Sequence, residues 1–223
     1  MSSQLQTNRQ AVPPQPAGQA TAAAAPPRLI LASTSPRRRQ LLAQLGVAFE
    51  VAPPDVEELT AASGHGPAEL AEENARRKAA AVAALQTGDV VVIGADTVVT
   101  IHGDCLGKPA DLTEAAAMLR RLSGKTHQVI TGMALRDARR GTETIFHVVT
   151  EVTFHELDDD TIAAYLAAID PLDKAGGYAA QDHGDMIIRR ADGPLDNVVG
   201  LPLDSLAPRL LELGLPVDHT TGA

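Results

Sequence analysis

The 223 residues include one cysteine, no tryptophan, three Phe and two Tyr. A single thiol, Cys105, can close no internal disulfide and can build no structural zinc site, so a stapled secreted fold is excluded and a reducing cytoplasm is the expected compartment. So few rings leave almost no platform on which the bases of a single strand could stack. Basic residues are also in short supply: 19 Lys and Arg stand against 28 Asp and Glu, a formal net charge of -9. Polynucleotides and anionic membranes are held by basic surfaces, so neither is an expected partner, and any anion site must be a local gathering of cations. No apolar run approaches the ~20 residues that cross a bilayer, and residues 22–25 are too short for the apolar part of a leader.

With 44% apolar and 21% charged residues, the remainder has the composition of an ordinary globular domain. Residues 1–27, rich in Ala, Pro, Gln, Ser and Thr without apolar periodicity, read as a disordered tail. The folded domain is expected over 28–215, with 216–223 as a flexible end. Apolar runs of strand length alternate with helical patterns, which predicts a mixed α/β fold. Strands are expected over 29–32, 47–52, 90–93 and 98–101, with Gly94 interrupting the third run. Residues 127–135 and 144–154 should form a hairpin, and 186–190 and 198–201 two further short strands. Helices are expected from Ser35 and Pro36 to Gly46, then over 67–86, 113–122, 158–166 and 203–213.

The segment LASTSPRRRQLL carries the clearest chemical signal. Ser33, Thr34 and Ser35 put hydroxyls and backbone donors in a strand-to-helix turn, and Arg37 and Arg38 follow in the first helical turn. Cations there oppose the helix dipole unless an anion is bound, so a phosphate site explains them; an exposed basic helix start with an ordinary cap is the alternative. Asp96, in VVVIGADTVVT, ends an apolar run where strand ends line ligand crevices, so it can bind metal, act as a base, or simply cap a turn. Helical spacing puts Asn74 and Lys78 on the apolar stripe of Leu70, Ala71, Ala81, Val82 and Leu85. Lys78 either snorkels past the core or faces a cleft. Glu57 and Glu58 are either exposed loop charge or acids that could meet a metal. SGKTHQ imitates the end of a P-loop, but the position that pattern requires to be Gly is Leu119. Asp158 to Asp160 fit helix N-terminal charge, and the seven His residues have no metal-ligand spacing.

The order of segments is more specific than any one of them. STSPRR, VEE, ARRKA, GADT, LGKP, LSGKTHQVITG, DKAGGYAAQ and VVGLPL resemble the successive motifs of the Maf family of nucleoside triphosphate pyrophosphatases, over about residues 29–213. The resemblance implies two α/β lobes around a deep cleft, similar to inosine triphosphate pyrophosphatases, with a mixed twisted sheet and often a homodimer. It implies cleavage between the α and β phosphates with a divalent cation, Mg or Mn. Asp96 becomes the catalytic base, with Lys78 beside it and Glu58 sharing the metal with Asp96. Ser33, Arg38, Lys78 and Lys108 would hold phosphates, with Lys174 nearby. At the three positions that separate branches of the family this chain carries Arg37, Thr97 and Gln181, as the dTTP and UTP branch does and the 7-methyl-GTP branch does not. Asp182, Gly177, Asp196 and Asn197 depart from the common pattern along one wall. The resemblance also leaves open a non-catalytic role in regulating septum formation.

Overall fold

The computed structural model describes residues 25–218. The expected tail therefore lies outside the described residues except for 25–27, and the expected flexible end is described only over 216–218. Seven strands form one mixed sheet in the order β2-β1-β3-β5-β6-β7, with β4 paired to β3 off that path. β1 (Arg28–Ala32) pairs in parallel with β2 (Glu50–Ala52) and with the start of β3 (Val90–Ile101). Parallel neighbours need crossovers, which α1 (Pro36–Ala43) and α2 (Pro67–Ala83) supply. β4 (Asp104–Leu106), β5 (Thr126–Asp137), β6 (Thr142–Phe154) and β7 (Ile188–Asp192) join antiparallel, the tight turn between β5 and β6 making the expected hairpin. α3 (Leu112–Leu122), α4 (Asp159–Ala168), α5 (Leu195–Val199) and α6 (Leu203–Glu212) complete the mixed α/β fold.

One sheet face is covered by α2, which packs on Ile30, Val92 and Ala134 at one end and brings Leu70 onto Val98 and Ile130 at the other. The opposite face carries two separate cores. Leu31, Ile93 and Met133 pack with Leu42 and Leu206 of α1 and α6, while Val99, Val129 and Phe154 pack with Leu119 and Tyr165 of α3 and α4. These cores are the two expected lobes, threaded by the long strands β3 and β5.

Gly94 does not interrupt β3, which runs unbroken. The glycine is there because α2 lies against it: a Cβ would sit 2.1 Å from the Ala75 carbonyl oxygen. Gly132 on β5 meets the backbone of Ala71 in the same way, at 2.2 Å. Residues 198–201 are not a strand. They end α5, which stops at Gly200 with φ 117, a four-residue apolar run being equally compatible with either element. Residues 184–186 are a 3-10 turn rather than strand, so β7 begins only at Ile188. β2 is shorter than expected because Val47 turns into the first core instead of pairing.

His127 on β5 is 2% exposed, and burial pushes its imidazole down to about 4. The unfolded chain takes a proton near pH 6.5 and the folded chain only near 4, so between them stability falls as pH drops, by up to about 3 kcal/mol. Denaturant unfolding at pH 7 and pH 4 should show this slope in the parent and a shallower one in His127→Leu. Equal slopes would mean that His127 titrates normally.

Candidate active site

β1 ends at Ala32, opposite Gly94, and β4 rejoins β3 only at Val99. Residues 95–98 of β3 therefore have no strand beside them on that edge. Successive side chains of a strand point to opposite faces, and at an open edge both can reach one space. Asp96 and Thr97 do so, lining a cleft of about 340 Å³ between the two cores. Ser33, Arg37, Arg38, Glu58, Lys78, Lys108, Lys174 and Gln181 line the same cleft, so all ten residues expected from the sequence come together.

The first wall is the start of α1. Ser35 caps the helix, its Oγ accepting from the Arg38 backbone N–H at 3.4 Å, Pro36 occupies the first turn, and no acid stands there. Ser33 Oγ accepts from the Ser35 N–H at 3.1 Å. Arg38 is partly committed to the protein: Nε donates to the Gly200 carbonyl at 2.9 Å and Nη2 to Thr97 Oγ1 at 3.0 Å. Burial lowers the affinity of its guanidinium for the proton, against the pull of Asp96 and Glu58. Thr131 donates its hydroxyl to the Asn197 carbonyl at 2.8 Å, so Thr97, 3.0 Å from Thr131, is the donor of that pair. The Thr97 hydroxyl thus both holds Arg38 and ties β3 to β5 and α5.

The cleft floor is an ion-paired cluster delivered by α2 and β3. Lys78 does not snorkel: its Nζ lies 2.6 Å from Asp96 Oδ1 and 2.6 Å from Glu58 Oε1. Asn74, one helical turn earlier, donates to Asp96 Oδ2 at 3.1 Å and closes a pair of bonds with the Leu59 backbone, at 2.7 Å to its N–H and 3.0 Å to its carbonyl. Lys108 approaches Glu58 Oε2 at 3.5 Å. Burial raises the Glu58 carboxyl, but Lys78 and Lys108 outweigh it and hold the group below the ordinary carboxylate range. Among the described residues no cluster of three His, Cys, Asp or Glu forms a preassembled metal cage. Glu58 and Asp96 nevertheless share one ammonium, near enough for two hard oxygen donors to meet one cation.

The opposite wall is apolar at its base, from Val99, Val129, Tyr178 and Val198, and carries Lys174 and Gln181. Lys174 is buried, with Nζ 2.6 Å from Asp173 Oδ1 and a short bond to the Asp170 carbonyl. Asp173 also takes Arg37 Nη1 at 3.2 Å, across the cleft mouth. Burial raises the Asp173 carboxyl and the two cations more than reverse this. Gln181 stands exposed on the rim.

Four participants were not foreseen as site residues. Asn74 had a signal in its spacing from Lys78, and Asp173 in its adjacency to Lys174. Thr131 and Asn197 had none, because their bonds join residues far apart in the chain.

Fold and cleft together define an α/β protein with a cationic, carboxylate-floored pocket at the open edge of a sheet strand. The chain belongs to the Maf-like protein family, whose profile matches residues 28–213. It is 48% identical over 189 residues to the dTTP/UTP pyrophosphatase of Pelotomaculum thermopropionicum, covering 85% of this chain and 98% of that one. It is 46% identical to the protein of that name from Symbiobacterium thermophilum, covering 88% and 98%, and 48% identical to that from Akkermansia muciniphila, covering 84% and 97%. A nucleoside-triphosphatase / dITP/XTP pyrophosphatase from Mycobacterium abscessus superposes with a TM-score of 0.40 at 18% identity, covering 84% of this chain and 97% of that one. No helix among the described residues is long and apolar enough to cross a membrane.

Proposed function

We propose that the chain hydrolyses dTTP and UTP to the nucleoside monophosphate and pyrophosphate. The observation that carries the chemistry is the buried Lys78–Asp96 pair at the unpaired edge of β3, facing cations from both walls. Phosphoryl-type transfer asks a protein chiefly for charge neutralisation and an aligned water. Ser33, Arg38, Lys108 and Lys174 surround the space where a triphosphate would lie. Before substrate arrives Lys78 is claimed by two carboxylates. Entering phosphates draw its ammonium toward them and leave Asp96 Oδ1 to take the proton of the attacking water, while Asn74 keeps Oδ2 in place.

Glu58 and Asp96 are the residues that would hold a divalent cation, Mg or Mn. Oxygen-only coordination by one or two carboxylates, completed by phosphates and water, suits such an ion and would supply further neutralisation of phosphate charge. The dTTP and UTP preference rests on the named relatives and on Arg37, Thr97 and Gln181. Gln181 offers both a donor and an acceptor to a pyrimidine edge. Thr97 acts in this reading through Arg38, since its hydroxyl is already engaged.

A nucleotide panel with Mg tests the proposal. Pyrophosphate should be released with higher kcat/KM from dTTP and UTP than from ATP, GTP or 7-methyl-GTP, and Gln181→Ala should shrink that ratio. A preference for 7-methyl-GTP would overturn the substrate while keeping the reaction. Release of orthophosphate would overturn the reaction, and no turnover with any nucleotide would favour a regulatory binding role.

A further inference from the structure

The wall that carries Gln181 is held by residues outside the cleft. Between α4 and β7 the chain runs without a strand, yet residues 176–179 are pinned at successive positions. The Gly176 N–H donates to the Gly107 carbonyl at 3.0 Å. Its φ is 72, and it lies so flat on β3 that a Cβ would come within 3.2 Å of Val99. Tyr178 follows, with its hydroxyl 2.8 Å from His127 Nε2. His127, Phe154 and Tyr178 form a closed set of edge-to-face contacts, with centroids 4.8, 4.9 and 5.5 Å apart. Ala179 is bracketed by one phenol: Tyr165 Oη accepts from its N–H and donates to its carbonyl, both at 3.0 Å. Two residues later the chain emerges, and Gln181 and Asp182 are exposed.

Tyr165 belongs to the second core, His127 packs edge-on against its Phe154 and Tyr178, and neither lines the cleft. His127 Nδ1 is buried without a partner. Among the described residues the only side-chain hydrogen bond of the ring is therefore the one between Nε2 and the Tyr178 hydroxyl. Both groups are polar members of an otherwise apolar core, and each spends its bonding on this one segment. A satisfied core of this size could be built from Leu and Phe alone. The polar pair instead specifies where the segment sits.

We infer that His127 and Tyr165 are positioning residues for nucleotide selection: through Tyr178 and Ala179 they fix the backbone that presents Gln181 to the base. This rests on the reading of Gln181 given under the proposed function. The bracket acts on the rim and leaves the phosphate site to its own anchors, since Lys174 is held by Asp170 and Asp173 and Lys78 by Glu58 and Asp96. The effect of loosening it is therefore confined to recognition of the base.

Tyr165→Phe removes the hydroxyl and leaves the ring. The expected result is a KM for UTP raised by up to about thirtyfold, the scale of the two net hydrogen bonds lost, with kcat within about twofold and a UTP:ATP ratio of kcat/KM reduced to match. The inhibition constant of pyrophosphate should not move, and amide exchange should accelerate over 178–181 only. His127→Leu removes the other anchor and should give the same split if Tyr165→Phe folds poorly. A UTP:ATP ratio that survives both variants overturns the inference. So does a pyrophosphate constant that shifts with the KM, which would mark a general distortion of the cleft. Equal hydrolysis of UTP and ATP by the parent protein would instead overturn the base-selecting role of Gln181, and the inference with it.

Discussion

Asp96→Asn should lower kcat by on the order of a hundredfold to ten-thousandfold while the protein still folds. Asn keeps the planar shape and can still sit between Lys78 and Asn74, whose bonds at 2.6 and 3.1 Å fix the carboxylate. It accepts no proton and holds a divalent cation poorly, so both proposed contributions disappear together. Steady-state pyrophosphate release and a melting curve on the same preparation check this. A melting temperature near the parent value with kcat down a hundredfold is the expected pair. Retention of more than about a tenth of kcat would remove Asp96 from the role of base.

Lys78→Met should damage stability and turnover together. The apolar part of the side chain is preserved, but Asp96, 8% exposed, loses its cation, and Glu58 is left facing it. Removing one partner of a buried pair typically costs about 3–5 kcal/mol, and here Asp96 is left buried without its cation while Glu58 keeps only Lys108 at 3.5 Å. The sign of the pH dependence identifies the cause. Like charges raise the proton affinity of at least one carboxyl in the folded variant above its unfolded value. The folded state then binds more protons, and the stability of the variant relative to the parent falls as pH rises through that window. Denaturant unfolding at pH 5 and pH 8 should show the larger deficit at pH 8. An equal deficit at both would mean that Lys78 contributes only packing. Lys78→Met with Asp96→Asn should cost less stability than Lys78→Met alone, because the second change removes one of the stranded charges.

How much could be read from the chain depended on whether the signal was local. The α1 start was legible because Ser35, Pro36 and the missing first-turn acid are consecutive, and the cap forms as expected. Lys78 was legible as a residue on the wrong side of its helix, 6% exposed as that placement requires, but periodicity could not say what it would meet. Gly94 was misread as a break because close approach of another helix leaves the same mark as a strand end. Residues 198–201 were misread because Gly200 halts a short helix through its left-handed backbone, a choice that Val198 and Val199 before it do not reveal.

Hydropathy period, capping residues and composition are properties of neighbours in the chain, and they indicated most strands and helices and the candidates Ser33, Arg37, Arg38, Glu58, Lys78 and Asp96, while Thr97, Lys108, Lys174 and Gln181 were expected only from the resemblance of ordered motifs to the family. The tertiary structure alone decided that residues 95–98 of β3 lie unpaired, so that Asp96 and Thr97, directed to opposite faces, reach one cleft. It alone joined Arg37 to Asp173 across 136 positions and set His127 under Tyr178 across 51. The physical reason is the same in each case: sheet register and helix docking bring distant groups within bonding reach, and each partner's own sequence surroundings contain no trace of the other.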